Sequence, residues 1–170
     1  MSRPLGSREI PYNREKAVAY AHKWALGRNP AYYNFTGLGG DCANFASQCL
    51  HAGGGVMNYK PLFGWYYNSP SDRTPSWSGV KYLYNFLTSN IGPGPFAVET
   101  DITAMEPGDI IQLAVYREDF HHTLVVVETG SVPDYQNTLI ACHSYDSDYR
   151  PLDTYSIRTI RFLHIEGYRG

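Results

Sequence analysis

The chain has 170 residues, of which 43% are hydrophobic, so its length and composition suit a single domain with a packed core and exclude wholesale disorder. Its 14 Lys and Arg residues against 16 Asp and Glu residues give a net charge of −2, which argues against a basic surface for nucleic acid. The three cysteines cannot all pair with one another, so we expect no disulfide framework and at least one free thiol.

The N-terminal segment, residues 1–11, is predicted to be flexible and has no apolar run that would serve as a signal peptide. No segment approaches the roughly 18 consecutive apolar residues that a membrane span needs. We therefore expect a cytoplasmic protein if the chain is complete, and an extracellular or cell-wall protein if it is an excised domain or a mature form. We expect residues 1–170 to form one domain and a monomer.

The first half of the chain has the apolar spacing of helices, and the second half has short β-branched runs bounded by turn residues. The predicted helices cover residues 13–27, 42–52 and 80–89. The predicted strands cover residues 109–115, 122–128, 137–143 and 157–164. Helices followed by strands indicate an α+β fold, with N-terminal helices packed on a C-terminal antiparallel sheet.

Cys42 is the candidate nucleophile, because three glycines in residues 37–40 lead into a helix whose first turn contains it. Glycines permit a sharp turn and a close approach of substrate. The helix N-terminus favours the thiolate, and its free N–H groups would stabilise an oxyanion. We expect the other two cysteines, Cys49 and Cys142, to pack in the core.

His122 and His143 are the candidate partners of this thiol. If the strands that carry them form a hairpin around residues 131–136, the two side chains face each other across the ladder. One histidine would then act as the base, and the other would orient it through a ring nitrogen.

Aromatic residues make up 15% of the chain and include 15 tyrosines, which suits a groove for glycans or peptides as well as core packing. The segment from Phe63 to Trp77 is the candidate groove wall, although a packing cluster under a long loop explains it equally well. The residues predicted to contact substrate are Trp65, Tyr66, Trp77 and Asp41.

Four segments together resemble the bacterial putative amidase domain family. They are residues 12–21 (YNREKAVAYA), 39–50 (GGDCANFASQCL), 106–111 (EPGDII) and 122–127 (HTLVVV). The family is related to the CHAP and NlpC-type cell-wall amidases and peptidases, which have a papain-like fold. The resemblance covers the chain roughly from Tyr12 to Leu152.

The resemblance implies a papain-like cysteine hydrolase with Cys42 as nucleophile, His122 as base and His143 as the third member of the triad. Asp146 and Asp148 are rival orienting groups. The resemblance also implies an oxyanion donor shortly before the nucleophile, for which Tyr33 and Asn34 are candidates.

We therefore predict an amidohydrolase that cleaves amide bonds in peptidoglycan or peptides through a thioester, with no metal, cofactor or nucleic-acid partner. The alternatives are an acyl- or peptidyl-transferase on the same fold and a non-catalytic wall-binding module. A zinc site made from Cys42, His122 and His143 is disfavoured, because no spacing typical of zinc ligands accompanies it.

Overall fold

The computed structural model describes residues 8–170, which form a large antiparallel sheet with helices packed on one face. The helices are α1 (Arg14–Trp24), α2 (Cys42–Gly54), α3 (Pro75–Ser78) and α4 (Val80–Ser89). The strands are β1 (Glu9–Ile10), β2 (Tyr67–Ser69), β3 (Asp72–Arg73), β4 (Gly94–Thr100), β5 (Ile110–Ala114), β6 (His122–Glu128), β7 (Leu139–Cys142), β8 (Ser147–Pro151) and β9 (Thr159–Arg169).

Within the described residues the main sheet has seven strands in the order β1-β9-β5-β6-β7-β8, and β4 also pairs with β9. Every pairing is antiparallel, and β2 and β3 form a separate hairpin. This arrangement confirms helices packed on an antiparallel sheet. Strands β4 and β8 were not predicted, because glycine and proline dominate residues 91–95 and polar residues dominate 147–151.

The N-terminal segment is only partly described. Residues 1–7 of the predicted flexible segment lie outside the described residues. Glu9 and Ile10 pair with the end of β9, at Arg169 and Tyr168, so this part of the segment is an ordered edge strand.

Alternate residues of β6 face two different clusters, because side chains point to opposite sides of a strand. Val125 and Val127 pack against α2 in the larger core, together with Phe45 and Leu50. Leu124 lies in a smaller cluster on the other face, with Met105, Leu152 and Phe162 among its neighbours. Cys49 is buried in the first cluster and Cys142 in the second, as predicted.

Helix α2 is the buried centre of the fold, with ten of its residues inaccessible, and its first residue is Cys42. It ends at Gly55, whose φ of 78° is the left-handed conformation typical of a helix C-terminus. No helix of residues 8–170 is both long enough and apolar enough to cross a membrane.

Candidate active site

Two glycines with left-handed backbone precede α2. Gly39 and Gly40 have φ of +91° and +106°, and an added Cβ at either position meets no atom within 4 Å. Their backbone conformation, and not a lack of space, therefore requires glycine. The first bond of α2 runs from the Phe45 N–H to the Asp41 carbonyl at 2.9 Å, so the N–H groups of Cys42 and its two successors have no acceptor within the helix.

Cys42 lines a cavity of about 500 Å³ at the end of the sheet where β6 begins and β7 ends. His122, the first residue of β6, lines the same cavity, so the structure brings these two predicted residues together. The full lining is Gly39, Gly40, Cys42, Val115, Tyr116, His121, His122, Ser144, Tyr145, Arg150 and Tyr155.

The Cys42 sulfur is buried, and it donates a hydrogen bond to the carbonyl of His121 at 3.8 Å. Burial raises the pKa of this thiol to about 11, and nearby hydrogen bonds from Thr123 and the Ala43 N–H only partly oppose that rise. The Ala43 N–H at the helix N-terminus lowers the pKa in the expected direction, but burial has the larger effect. At neutral pH the group is a thiol that needs a base.

His122 is such a base in its neutral form. Burial, with smaller contributions from His121 and Arg150, lowers its pKa to about 4. Its ring nitrogens have no hydrogen-bond partner among residues 8–170, and its ring packs edge-on against Tyr155. His121 is already engaged, because its Nε2 accepts the Val115 N–H at 3.0 Å.

His143 does not face His122, which corrects the predicted pair. Val125 pairs with Ala141 and Val126 with Ile140, so the register is displaced by one residue from the prediction. A one-residue shift moves side chains to opposite faces of a sheet. His143 is therefore on the helix side, where its ring stacks on Phe45 with centroids 4.2 Å apart.

Both ring nitrogens of His143 have partners. Nδ1 lies 2.6 Å from a carboxylate oxygen of Asp41, and Nε2 lies 2.8 Å from the carbonyl of Trp24. Burial raises the pKa of Asp41, but hydrogen bonds from His143, Asn44 and the Phe35 N–H outweigh it, and the pKa is lowered. The prediction that Asp41 contacts substrate is wrong, because its side chain is buried at 1% exposure.

The rival orienting groups are also bound elsewhere. Asp146 accepts two hydrogen bonds from Arg28, at 2.7 and 3.0 Å. Asp148 lies 2.9 Å from Nδ1 of His22. Within the described residues neither carboxylate contacts His122. The two pairs instead connect the chain around α1 to the β7–β8 hairpin.

The two tryptophans of the predicted groove wall are part of the core, whereas Phe63 at its start is exposed. Trp65 and Trp77 are both 0% exposed and pack on each other with ring centroids 4.6 Å apart. Tyr66 is half-exposed, but its hydroxyl donates to Asp72 and it lies outside the cavity of Cys42. The candidate oxyanion donors, Tyr33 and Asn34, line a different surface pocket. Packing under a long loop is therefore the correct interpretation of the tryptophans.

Several cavity residues were not found from the sequence. Tyr116 and Tyr145 are exposed at 74% and 93%, and Arg150 and Tyr155 come from the region after β7. No motif distinguishes these four residues, because loops and strands distant in the sequence bring them to Cys42 only in the folded chain.

One cluster of described residues has the geometry of a metal site. Glu106, Asp109 and His164 offer ligand atoms within 4.8 Å of one another. Arg14 already supplies a cation there, with its guanidinium 2.8 Å from Asp109 and 3.7 Å from Glu106. Asp109 also accepts the Ile165 N–H at 2.8 Å, so this cluster connects α1 to β5 and β9.

The chain belongs to the putative amidase domain family, whose model matches residues 11–165. The chain is also similar to the uncharacterized protein YhbB of Bacillus subtilis (strain 168), with 37% identity over 149 residues. That alignment covers 84% of this chain but 45% of YhbB, so the chain spans less than half the length of this relative. No solved structure matches the chain. Membership of the family indicates hydrolysis of amides in general.

Proposed function

We propose that the protein hydrolyses an amide bond with Cys42 as nucleophile and His122 as general base. This proposal rests mainly on the shared cavity: a thiol at a helix N-terminus and an unpartnered imidazole both line it, in a chain of an amidase family. A nucleophile and a base on one cavity wall are the minimum that covalent amide hydrolysis needs.

The protonation states support a general-base mechanism and not a preformed ion pair. Near neutral pH the pKa values of about 11 for Cys42 and about 4 for His122 leave a neutral thiol beside a neutral imidazole. His122 would take the thiol proton as sulfur bonds to the carbonyl carbon. For this step the thiol must give up its hydrogen bond to the His121 carbonyl and donate to the imidazole instead.

The remaining steps follow the same two residues. The negative charge on the carbonyl oxygen would accept hydrogen bonds from the free N–H groups at the start of α2. When the C–N bond breaks, His122 returns its proton to the leaving amine and a thioester remains on Cys42. Water, deprotonated by His122, then hydrolyses the thioester and releases the acid and the thiol.

His143 acts in this proposal as a positioning residue. Its partner Asp41 is the residue before Cys42, and the Asp41 side chain also accepts the Phe35 N–H and a hydrogen bond from Asn44. The pair therefore holds the glycine loop and the first turn of α2 in the orientation that presents Cys42 to the cavity.

The substrate we propose is a peptide amide of peptidoglycan, cleaved by a papain-like enzyme. The resemblance to cell-wall amidases and peptidases supports this substrate. The cavity mouth supports it too, because Tyr116 and Tyr145 are exposed there and aromatic faces pack well on sugar rings and peptide planes.

Digestion of purified peptidoglycan with mass analysis of the products tests the proposal. We expect wild-type protein to release fragments with a new amine and a new carboxylate, and Cys42→Ala to release none. Cys49→Ala is the matched control, since Cys49 lies deeper in the same helix and is buried in the core. Binding of peptidoglycan without cleavage, or cleavage by Cys42→Ala, would contradict the proposal.

A further inference from the structure

The cavity of Cys42 contains a positive charge without a carboxylate. Of its lining residues, Arg150 carries the one permanent charge, and neither aspartate nor glutamate is present among them. The two histidines of the lining, His121 and His122, have lowered pKa values because burial disfavours their charged forms. At neutral pH the cavity therefore has a charge of about +1.

The Arg150 guanidinium is held in one orientation. Its Nε donates to the Thr154 hydroxyl at 2.7 Å, one terminal nitrogen donates to the Thr154 carbonyl at 3.3 Å, and its plane lies over the ring of Tyr155 at 3.7 Å. A guanidinium fixed in this way loses little freedom on binding an anion.

Arg150 also lacks the carboxylate counter-ion that two other half-buried arginines, Arg14 and Arg28, have. Arg14 and Arg28 each pair with an aspartate at 2.7–2.8 Å. Among residues 8–170, Arg150 takes part in none of the ion pairs, and its second terminal nitrogen has no hydrogen-bond acceptor. A half-buried arginine with a free donor edge in a cavity is suited to bind a carboxylate.

We infer that Arg150 binds a carboxylate of the substrate, so that the amide attacked by Cys42 lies beside a free carboxylate, as in a peptide of acidic amino acids. This inference rests on the proposed function and names the substrate class of the same site. Arg150 is a binding residue here, and the neutral lining around it admits the rest of the peptide.

Alkylation of Cys42 by two reagents of similar size tests the inference without a known substrate. Iodoacetate carries a carboxylate and iodoacetamide does not, so the ratio of their rates reports the charge that Arg150 contributes at the sulfur. Mapping by mass spectrometry restricts the measurement to the peptide that contains Cys42. We expect Arg150→Gln to lower the iodoacetate-to-iodoacetamide ratio by roughly five- to tenfold, and Arg150→Lys to restore part of it.

Arg169→Gln is the matched control. Arg169 is also half-buried, stacks on an aromatic ring (Phe96, 3.8 Å) and donates to a carbonyl (Asn90, 2.9 Å), but it does not line the cavity. Its variant should leave the ratio unchanged. A change of both rates by the same factor in Arg150→Gln, with the ratio constant, would overturn the inference, because a merely structural role predicts that result.

A second measurement separates this inference from the proposed function. If Cys42 reacts with neither reagent, the proposed nucleophile is wrong, and binding of N-acetylglutamate and N-acetylglutamine to Cys42→Ala protein decides the inference instead. We expect N-acetylglutamate to bind at least fivefold more tightly, and Arg150→Gln in that background to remove the preference. Equal affinities before the Arg150 substitution would overturn it.

Discussion

Nδ1 of His143 lies 2.6 Å from the carboxylate of Asp41, the residue that immediately precedes Cys42. Nε2 of the same ring lies 2.8 Å from the Trp24 carbonyl, so both ring nitrogens have an oxygen partner. The result is a buried histidine–carboxylate pair that connects the end of α1, the start of α2 and the end of β7. The pair controls the position of the proposed nucleophile through the backbone.

Asp41→Asn should destabilise the protein by about 2 kcal/mol or more, because an amide replaces the buried carboxylate that bonds to the His143 ring and accepts the Phe35 N–H. The free energy of unfolding in urea measures this loss. Asp146→Asn is the control, since the Asp146–Arg28 pair is partly exposed and should be worth about 1 kcal/mol or less. Losses of equal size for the two variants would contradict the role given to the Asp41–His143 pair.

The stability of the protein should fall as the pH is lowered from about 6.5 to about 4. The pKa of His122 is lowered from 6.5 to about 4 in the folded state, so the unfolded chain binds this proton first. The stabilisation is complete above pH 6.5 and disappears as the pH falls through the folded value, for a total of up to about 3 kcal/mol.

His122→Gln should reduce this dependence. Unfolding in urea at pH 7.5 and at pH 4.5 gives the difference for each protein. The contribution of Asp41 does not interfere, because its lowered pKa stabilises the fold above 3.8 and is lost only below that value. An unchanged difference in the variant would show that His122 is not a buried neutral base.

Alkylation of Cys42 by iodoacetamide should accelerate about tenfold for each pH unit between pH 7 and pH 10, because the thiolate is the reactive form and the pKa is about 11. Rates mapped to the Cys42 peptide measure this. A plateau near pH 7 would instead indicate a preformed thiolate–imidazolium pair and contradict the general-base mechanism.

Trp77→Phe should destabilise the fold by about 1–3 kcal/mol and leave KM unchanged, because the Trp77 indole donates to the side-chain oxygen (Oδ1) of the buried Asn44 at 2.9 Å. Tyr116→Ala should raise KM and leave the free energy of unfolding unchanged, since Tyr116 is exposed on the cavity wall. Urea unfolding and steady-state kinetics on the same samples separate the two effects. A raised KM with normal stability in Trp77→Phe would restore the groove wall predicted from the sequence.

The local features of the site were predictable, because each depends on neighbouring residues in the sequence. The glycines before Cys42 and the apolar spacing after it predicted the start of α2, and the β-branched run after His122 predicted β6. In the structure β6 has the predicted bounds, and α2 starts at Cys42 as predicted but extends two residues further, to Gly54. The side of the sheet on which His143 lies was not predictable in the same way.

That side depends on register, which is displaced by one residue from symmetric pairing, and an irregularity between Val126 and Glu128 shifts it again further along the ladder. Asp134 and Asn137 hold the turn that sets the register. The side-chain oxygen of each residue accepts the backbone N–H of the other, at 2.9 and 2.7 Å. Arg150 was missed for a similar reason, since the hairpin of β7 and β8 brings it to the cavity only when the chain folds.

Mass spectrometry of acid-quenched reactions, with the peptidoglycan fragment that the enzyme cleaves, tests most directly whether Cys42 is the nucleophile. We expect a transient adduct equal in mass to the acyl part of the substrate, located on the peptide that contains Cys42 and removed by hydroxylamine as a thioester should be. Hydrolysis at the wild-type rate by Cys42→Ala, or an adduct on any other residue, would contradict it.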